Sequence, residues 1–258
     1  MFDSHCHLHA NAAGAAQVIA RAREAGVRGF MLAGVEPDGW LIEAELARAH
    51  EGVLVSYGVH PQLIAELDDA ACDRLVDQLR ATLAAPPHPP SAIGEIGLDG
   101  ERARRASFAR QERVFRAQLA LARASGLPVI LHVLDAHARA LAVLRDVAPL
   151  PGGVVHSYSG SAELVREYVA LGFHVSFAGP VTSERAKKTR RAAEAVPRER
   201  LLVETDAPFQ TPAAHRPLEN EPAFLVAIVR ALAQIRAEPF DELAAYTATN
   251  AQRLFGVK

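Results

Sequence analysis

"PVILHV", residues 128–133, sets a tight apolar run between a glycine-containing turn and a helical pattern. Alternate residues of an extended chain face opposite ways, so Val129, Leu131 and Val133 share one side and Ile130 and His132 the other. Both sides are therefore almost wholly apolar and rich in β-branching. That is the habit of a strand buried on both faces, as in a parallel sheet covered by helices. A helix pattern over 136–146 follows, so the stretch reads as one βα unit.

Working outward, the same rhythm recurs. Towards the C-terminus come "GGVVHSY" (152–158) with a helix near 161–171, "FHVSFAG" (173–179) with a helix near 183–195, and "RLLVETDAP" (200–208). Two closing helices are predicted near 221–236 and 239–254. Towards the N-terminus come "SAIGEIGLD" (91–99) with a helix near 106–125, "GVLVSYGVH" (52–60) with one near 68–84, "VRGFMLAGV" (27–35) with one near 38–50, and "FDSHCHL" (2–8) with one near 12–25. Eight strand–helix units in 258 residues predict a (β/α)8 TIM-type barrel, one domain over 1–258. An open doubly wound sheet is the alternative.

Half the residues are hydrophobic, enough for one large core, and the formal net charge is −2. Bulk charge therefore does not mark a nucleic-acid binder, although a local basic patch could serve. The two cysteines, Cys6 and Cys72, form no CxxC pair and no disulfide framework, which suits a reducing cytosol. No basic leader with an apolar core opens the sequence, and no apolar run reaches membrane-spanning length. A cytoplasmic protein, independent of membranes and monomeric, is expected. Neither G-x-S-x-G nor a P-loop occurs, so serine-hydrolase and NTPase chemistry lack their signatures.

The polar residues collect at the C-terminal ends of the predicted strands: His5 and His7 on the first, His60 on the third, Glu95 on the fourth, His132 on the fifth, His156 on the sixth, Glu204 and Asp206 on the eighth. In a barrel these ends meet at one mouth, where active sites of this fold lie. Buried without a shared partner, such groups cost on the order of 1–3 kcal/mol each. A metal centre supplies that partner. His5 and His7, and by the same alternation His9, fall on one face of an extended chain. Imidazole with carboxylate suits zinc, manganese, iron or nickel better than calcium. Four histidines and two carboxylates exceed the needs of one tetrahedral ion, whereas two ions bridged by Glu95 use all six.

"DSHCHL", "GVHP", "AIGEIGLD", "HSYSGS", "LGFHVSFAGPVT", "LLVETDAPF" and "NEPAFL" occur in order along nearly the whole chain. In these the sequence resembles the TatD family of metal-dependent hydrolases within the amidohydrolase-like superfamily. The resemblance implies a TIM-type barrel and a divalent-metal-dependent hydrolase of phosphodiester bonds, a DNase with 3′→5′ exonuclease character acting on DNA. It implies one ion on His5, His7, Glu95 and Asp206 and a second on Glu95, His132 and His156, with His60 near substrate phosphate. Two divalent ions per chain, from among Zn, Mn, Mg, Ni and Fe, are expected. Asp206 is expected to orient the attacking water and take its proton, with Glu95 as the other catalytic carboxylate and Glu204 as support behind the ligands. The sequence departs from the family where His9 replaces a common Asp, Leu134 a common Arg and Gly100 a common aromatic.

Six arginines lie in 101–116, and Arg102 to Arg105 follow Glu95 closely enough to reach substrate phosphate. Arg104 and Arg105 are the pair expected to do so, while "ERAKKTRR" (184–191) is similarly placed after strand seven. Phe209 is a candidate base-stacking ring, Trp40 a packing residue and Cys6 a core residue. Two other functions remain open: a metal-dependent amide or ester hydrolase such as a D-aminoacyl-tRNA deacylase, and a catalytically idle barrel that binds a partner.

Overall fold

The computed structural model describes residues 1–101 and 104–257. Eight parallel strands run in sequence order around one sheet: β1 (Phe2–Cys6), β2 (Gly29–Leu32), β3 (Val53–Tyr57), β4 (Ala92–Asp99), β5 (Val129–Leu134), β6 (Gly153–Val155), β7 (Phe173–Phe177) and β8 (Leu201–Val203). Beyond the strands, Asp206 N donates to His5 O (2.9 Å) and His7 N to Ala207 O (2.7 Å), which joins the last strand to the first. The ring of a TIM-type barrel results.

The helices are α1 (Ala15–Glu24), α2 (Pro37–Ala49), α3 (Pro61–Glu66), α4 (Asp69–Ala84), α5 (Phe108–Ser125), α6 (His137–Val147), α7 (Ala162–Ala170), α8 (Lys187–Ala195), α9 (Leu225–Arg236) and α10 (Phe240–Phe255). Helix α3 was not expected. Pro61 starts it and the His60 side chain caps it, but six residues are too few to show a helical period in sequence. The first strand is also shorter than the alternation suggested. It ends at Cys6, and His9 sits in a 3₁₀ turn (Leu8–Ala10) that carries it out of the strand register.

Phe2, Met31, Ile130, Val154 and Leu202, from five different strands, form one buried cluster with Phe255 of α10. The larger core packs the helices against the strands; Trp40 and Cys6 both belong to it. At β4 the approach to β5 is close: Gly97 has φ 140°, and a Cβ there would collide with the His132 carbonyl. Only glycine serves at that point, and the closeness brings Glu95 and His132 together. No helix among the described residues is long and apolar enough to cross a membrane.

Candidate metal centre

Glu95 lies at the centre, 2% exposed, and its two carboxylate oxygens face different groups. Oε2 lies 3.3 Å from His5 Nε2 and 3.8 Å from His7 Nε2, and both of those nitrogens lie 3.5 Å from Asp206 Oδ1. Oε1 lies 2.7 Å from His156 Nε2, 2.8 Å from His132 Nδ1 and 3.0 Å from His60 Nε2. The His5 and His156 rings stack at 4.0 Å, so the two groups share a wall.

The groups behind these rings, hydrogen-bonded to His60 and His132 and within ion-pair distance of His156, assign their free lone pairs. His60 Nδ1 accepts from Gln62 N at 3.2 Å, so its proton sits on Nε2 and points at Glu95. His60 is thereby a donor to the carboxylate. His132 is the reverse: Nε2 faces Asp99 Oδ2 at 3.2 Å, which leaves the Nδ1 lone pair for the centre. His156 Nδ1 faces Glu204 Oε1 at 3.5 Å, which leaves Nε2. An imidazole backed by a carboxylate is the usual orientation device for a histidine that binds metal. Lone pairs from His132 and His156 then converge on the same anionic oxygen of Glu95, 3.2 Å from each other. Three acceptors at one point require a cation between them, either protons or a metal. The donor set of imidazole and carboxylate fits a divalent first-row ion.

Titration follows the same geometry. Burial disfavours the His156 cation, yet the negative charges of Glu95 and Glu204 outweigh it and raise its pKa well above the usual value. His132 is raised too, with burial opposed by bonds to Asp99 and Glu95, and His7 is raised against burial by Asp206. His5 and His60 are lowered, mainly by burial. Glu95, despite burial, is held well below the carboxylate range by His156, His60 and His5.

The family model described as TatD related DNase matches residues 2–256. The chain belongs to that family. It is 34% identical over 262 residues to an uncharacterized metal-dependent hydrolase, YabD, of Bacillus subtilis, covering 100% of this chain and 99% of that one. It is 38% identical over 250 residues to the 3′-5′ ssDNA/RNA exonuclease TatD of Klebsiella pneumoniae, covering 93% and 91%. The crystal structure of the TatD homologue YjjV from Escherichia coli superposes with a TM-score of 0.90 at 32% identity, covering 100% and 98%.

All six residues expected to bind metal in this TatD-family chain thus meet at one place. Glu204 is fully buried behind His156, where it also accepts from Ser157 N. Arg104 instead pairs with Glu101 and lies 3.6 Å from Asp99, and Arg105 Nε donates to Gly100 O at 2.8 Å; neither lines the cavity over the centre. Arg102 lies outside the described residues. His9 leaves the metal face and sits 3.3 Å from Glu43. Two residues were missed. Asp99 holds both His132 and Gln62, the latter at 2.8 Å, and these contacts push its carboxyl below the usual range although burial opposes them. Its signal was present, since 95, 97 and 99 fall on one face of a strand. Gln210 Nε2 donates to Asp206 Oδ2 at 2.5 Å, and nothing in the sequence marked it.

A cavity of about 830 Å³ opens over the centre. Its wall is largely apolar, including Val35, Leu63, Leu134, Val181 and Phe209, and among the described residues no lysine or arginine lines it.

Proposed function

We propose that this barrel, a single domain over 1–258, hydrolyses phosphodiester bonds of nucleic acid and removes nucleotides from a single-stranded end. The division of Glu95 between two groups of ligand nitrogens carries this reading, because it supports two adjacent cation sites of the kind used in phosphoryl transfer. His5, His7, Glu95 and Asp206 would hold one divalent ion, and Glu95, His132 and His156 the other. Bound there, divalent ions supply Lewis acidity that lowers the pKa of water and offsets phosphate charge.

The chain's own groups do the rest. Asp206 has one oxygen tied by Gln210 and the other free towards the centre, so it can orient a water and take its proton. His60 presents an N–H at the edge of the centre, where it can donate to a phosphate oxygen as readily as to Glu95. Asp99 and Glu204 fix the tautomers of His132 and His156. Arg104 and Arg105, off the cavity wall, would meet phosphates of the strand beyond the cleaved end, positioning it without reading its sequence. Relatives named as ssDNA/RNA exonucleases support the substrate class. A monomer in the cytosol goes with this reading.

The test is elemental analysis of protein purified without chelator, followed by hydrolysis assays on single-stranded DNA, RNA and aminoacyl-tRNA. Two divalent ions per chain with release of mononucleotides is the expected outcome. Release of amino acid from tRNA with no nucleotide release would transfer the site to the deacylase reading. No divalent binding above background would remove both.

A further inference from the structure

Phe209 is 58% exposed although it lines the cavity beside the metal centre. A single exposed apolar side chain is ordinary on a protein surface. This one differs because its backbone is held in place. Asn220, fully buried, spans the loop: Nδ2 donates to Thr205 O at 2.7 Å and to Phe209 O at 2.5 Å. Asn11 Nδ2 in turn donates to Asn220 O at 2.8 Å, and Phe209 N donates to Asp206 O at 2.9 Å. On either side, Asp206 and Gln210 have φ of 57° and 55°, a region that non-glycine residues enter only where surrounding bonds hold them. Gln210 is so held, by Asp206 and by Ser157 Oγ at 2.7 Å. These bonds fix the backbone that carries the half-exposed ring, whose centroid lies 6.0 Å from that of His7 in an edge-to-face arrangement.

We infer that Phe209 is a stacking platform for the base of the terminal nucleotide, a deepening that rests on the phosphodiesterase reading above. A ring one imidazole away from the donor atoms is within a nucleoside's reach of a phosphate seated at Glu95. Every base has a π-face, so the platform accepts any of the four and contributes affinity without sequence preference. No described lysine or arginine lines the cavity, so stacking on Phe209 adds to the hold that the centre itself has on the phosphate. The enzyme therefore favours an intact base on the nucleotide it removes.

The experiment uses the metal-loaded protein and two oligonucleotides that differ only in an intact or an abasic 3′-terminal nucleotide. Phe209→Leu should lower kcat/KM on the intact end by about 5- to 100-fold, chiefly through KM, and Phe209→Trp should restore it. The two deletions should not add: removing ring and base together should cost no more than removing either. Equal loss for Phe209→Leu on both ends, or no loss on the intact end, overturns the platform. Turnover is not the only readout. A terminal 2-aminopurine should be quenched on binding to the wild-type protein and much less by Phe209→Leu. Quenching without hydrolysis would defeat the phosphodiesterase reading and leave the platform standing; absence of ring-dependent quenching defeats the platform whatever the turnover. Melting temperature of Phe209→Leu within a degree or two of wild type shows that the fold is intact.

Discussion

The two sides of Glu95 present similar donors but hold them by different means. On the β1/β8 side, His5, His7 and Asp206 are set by the main chain: His5 O accepts from Asp206 N, and Ala207 O from His7 N. Beneath them the buried Asp3 accepts from Thr205 N at 2.9 Å and Thr205 Oγ1 at 2.5 Å, binding the two strand ends together. On the β4–β6 side, His132 projects from β5 and His156 from the residue just past β6, and each faces a carboxylate behind it, Asp99 for His132 and Glu204 for His156. Where strands must be joined anyway, backbone bonds position the ligands at no further expense. Where the strands are already paired, orientation has to come from second carboxylates. The first kind of support should be vulnerable through stability, the second through metal affinity.

Glu95→Gln tests whether both sides depend on one bridge. Metal content should drop at both sites and activity should fall on the order of 10⁴-fold or more; loss of one ion alone would show that the sides are independent. Asp206→Asn keeps the shape and one oxygen but cannot take a proton. Turnover should fall by about 10²–10⁴-fold while the ion on the His132 and His156 side stays bound. Full metal with a near-normal rate would end the base assignment.

The contrast in support predicts a split between two further variants. Asp99→Ala should weaken metal binding by roughly 10–100-fold with a modest change in melting temperature. Thr205→Val should leave affinity close to wild type but reduce stability by about 1–3 kcal/mol, since the buried Asp3 loses a partner. Equal affinity losses in the two variants would break the comparison.

Protons sharpen it further. His132, His156 and His7 have raised pKa values in the metal-free protein, so they are more protonated near neutrality than free imidazole. The stability these protons confer is complete below the unfolded value and fades as pH rises through the folded ones. Metal needs the neutral rings, so its affinity should climb over that same rise. Calorimetry in buffers of different ionisation enthalpy should show net proton release on metal uptake at neutral pH; proton-neutral uptake would mean that the rings are already uncharged. The smallest effect is expected at Arg104 and Arg105. Their joint replacement by Ala should make the salt dependence of single-strand binding shallower by about 1.4 in log–log slope, if each meets one phosphate.

Much of this was legible in the chain. The two-sided apolar strands gave away a parallel barrel, and histidines and carboxylates at strand ends marked the mouth, because a barrel brings those ends together whatever lies between them. Asp99 could have been found from its alternation with Glu95. The support given by Gln210 and Asn220 could not, since it depends on left-handed backbone at Asp206 and Gln210 that no residue pattern announces. His9 shows the opposite failure: it kept the spacing of His5 and His7, but the strand ends at Cys6 and the next turn swings it to Glu43.

The bonds that join β1 to the segment after β8 also set an order in time. Along the chain His5 and His7 precede Glu95, His132 and His156, which are all present once the sixth strand has emerged, and Asp206 follows only after the eighth. During synthesis Glu95, His132 and His156 can therefore gather before Asp206 is available to the other side of Glu95. The seam bonds His5 O–Asp206 N and His7 N–Ala207 O would be the last part of the ring to form, and the group of His5, His7 and Asp206 would be complete only when the barrel itself is closed.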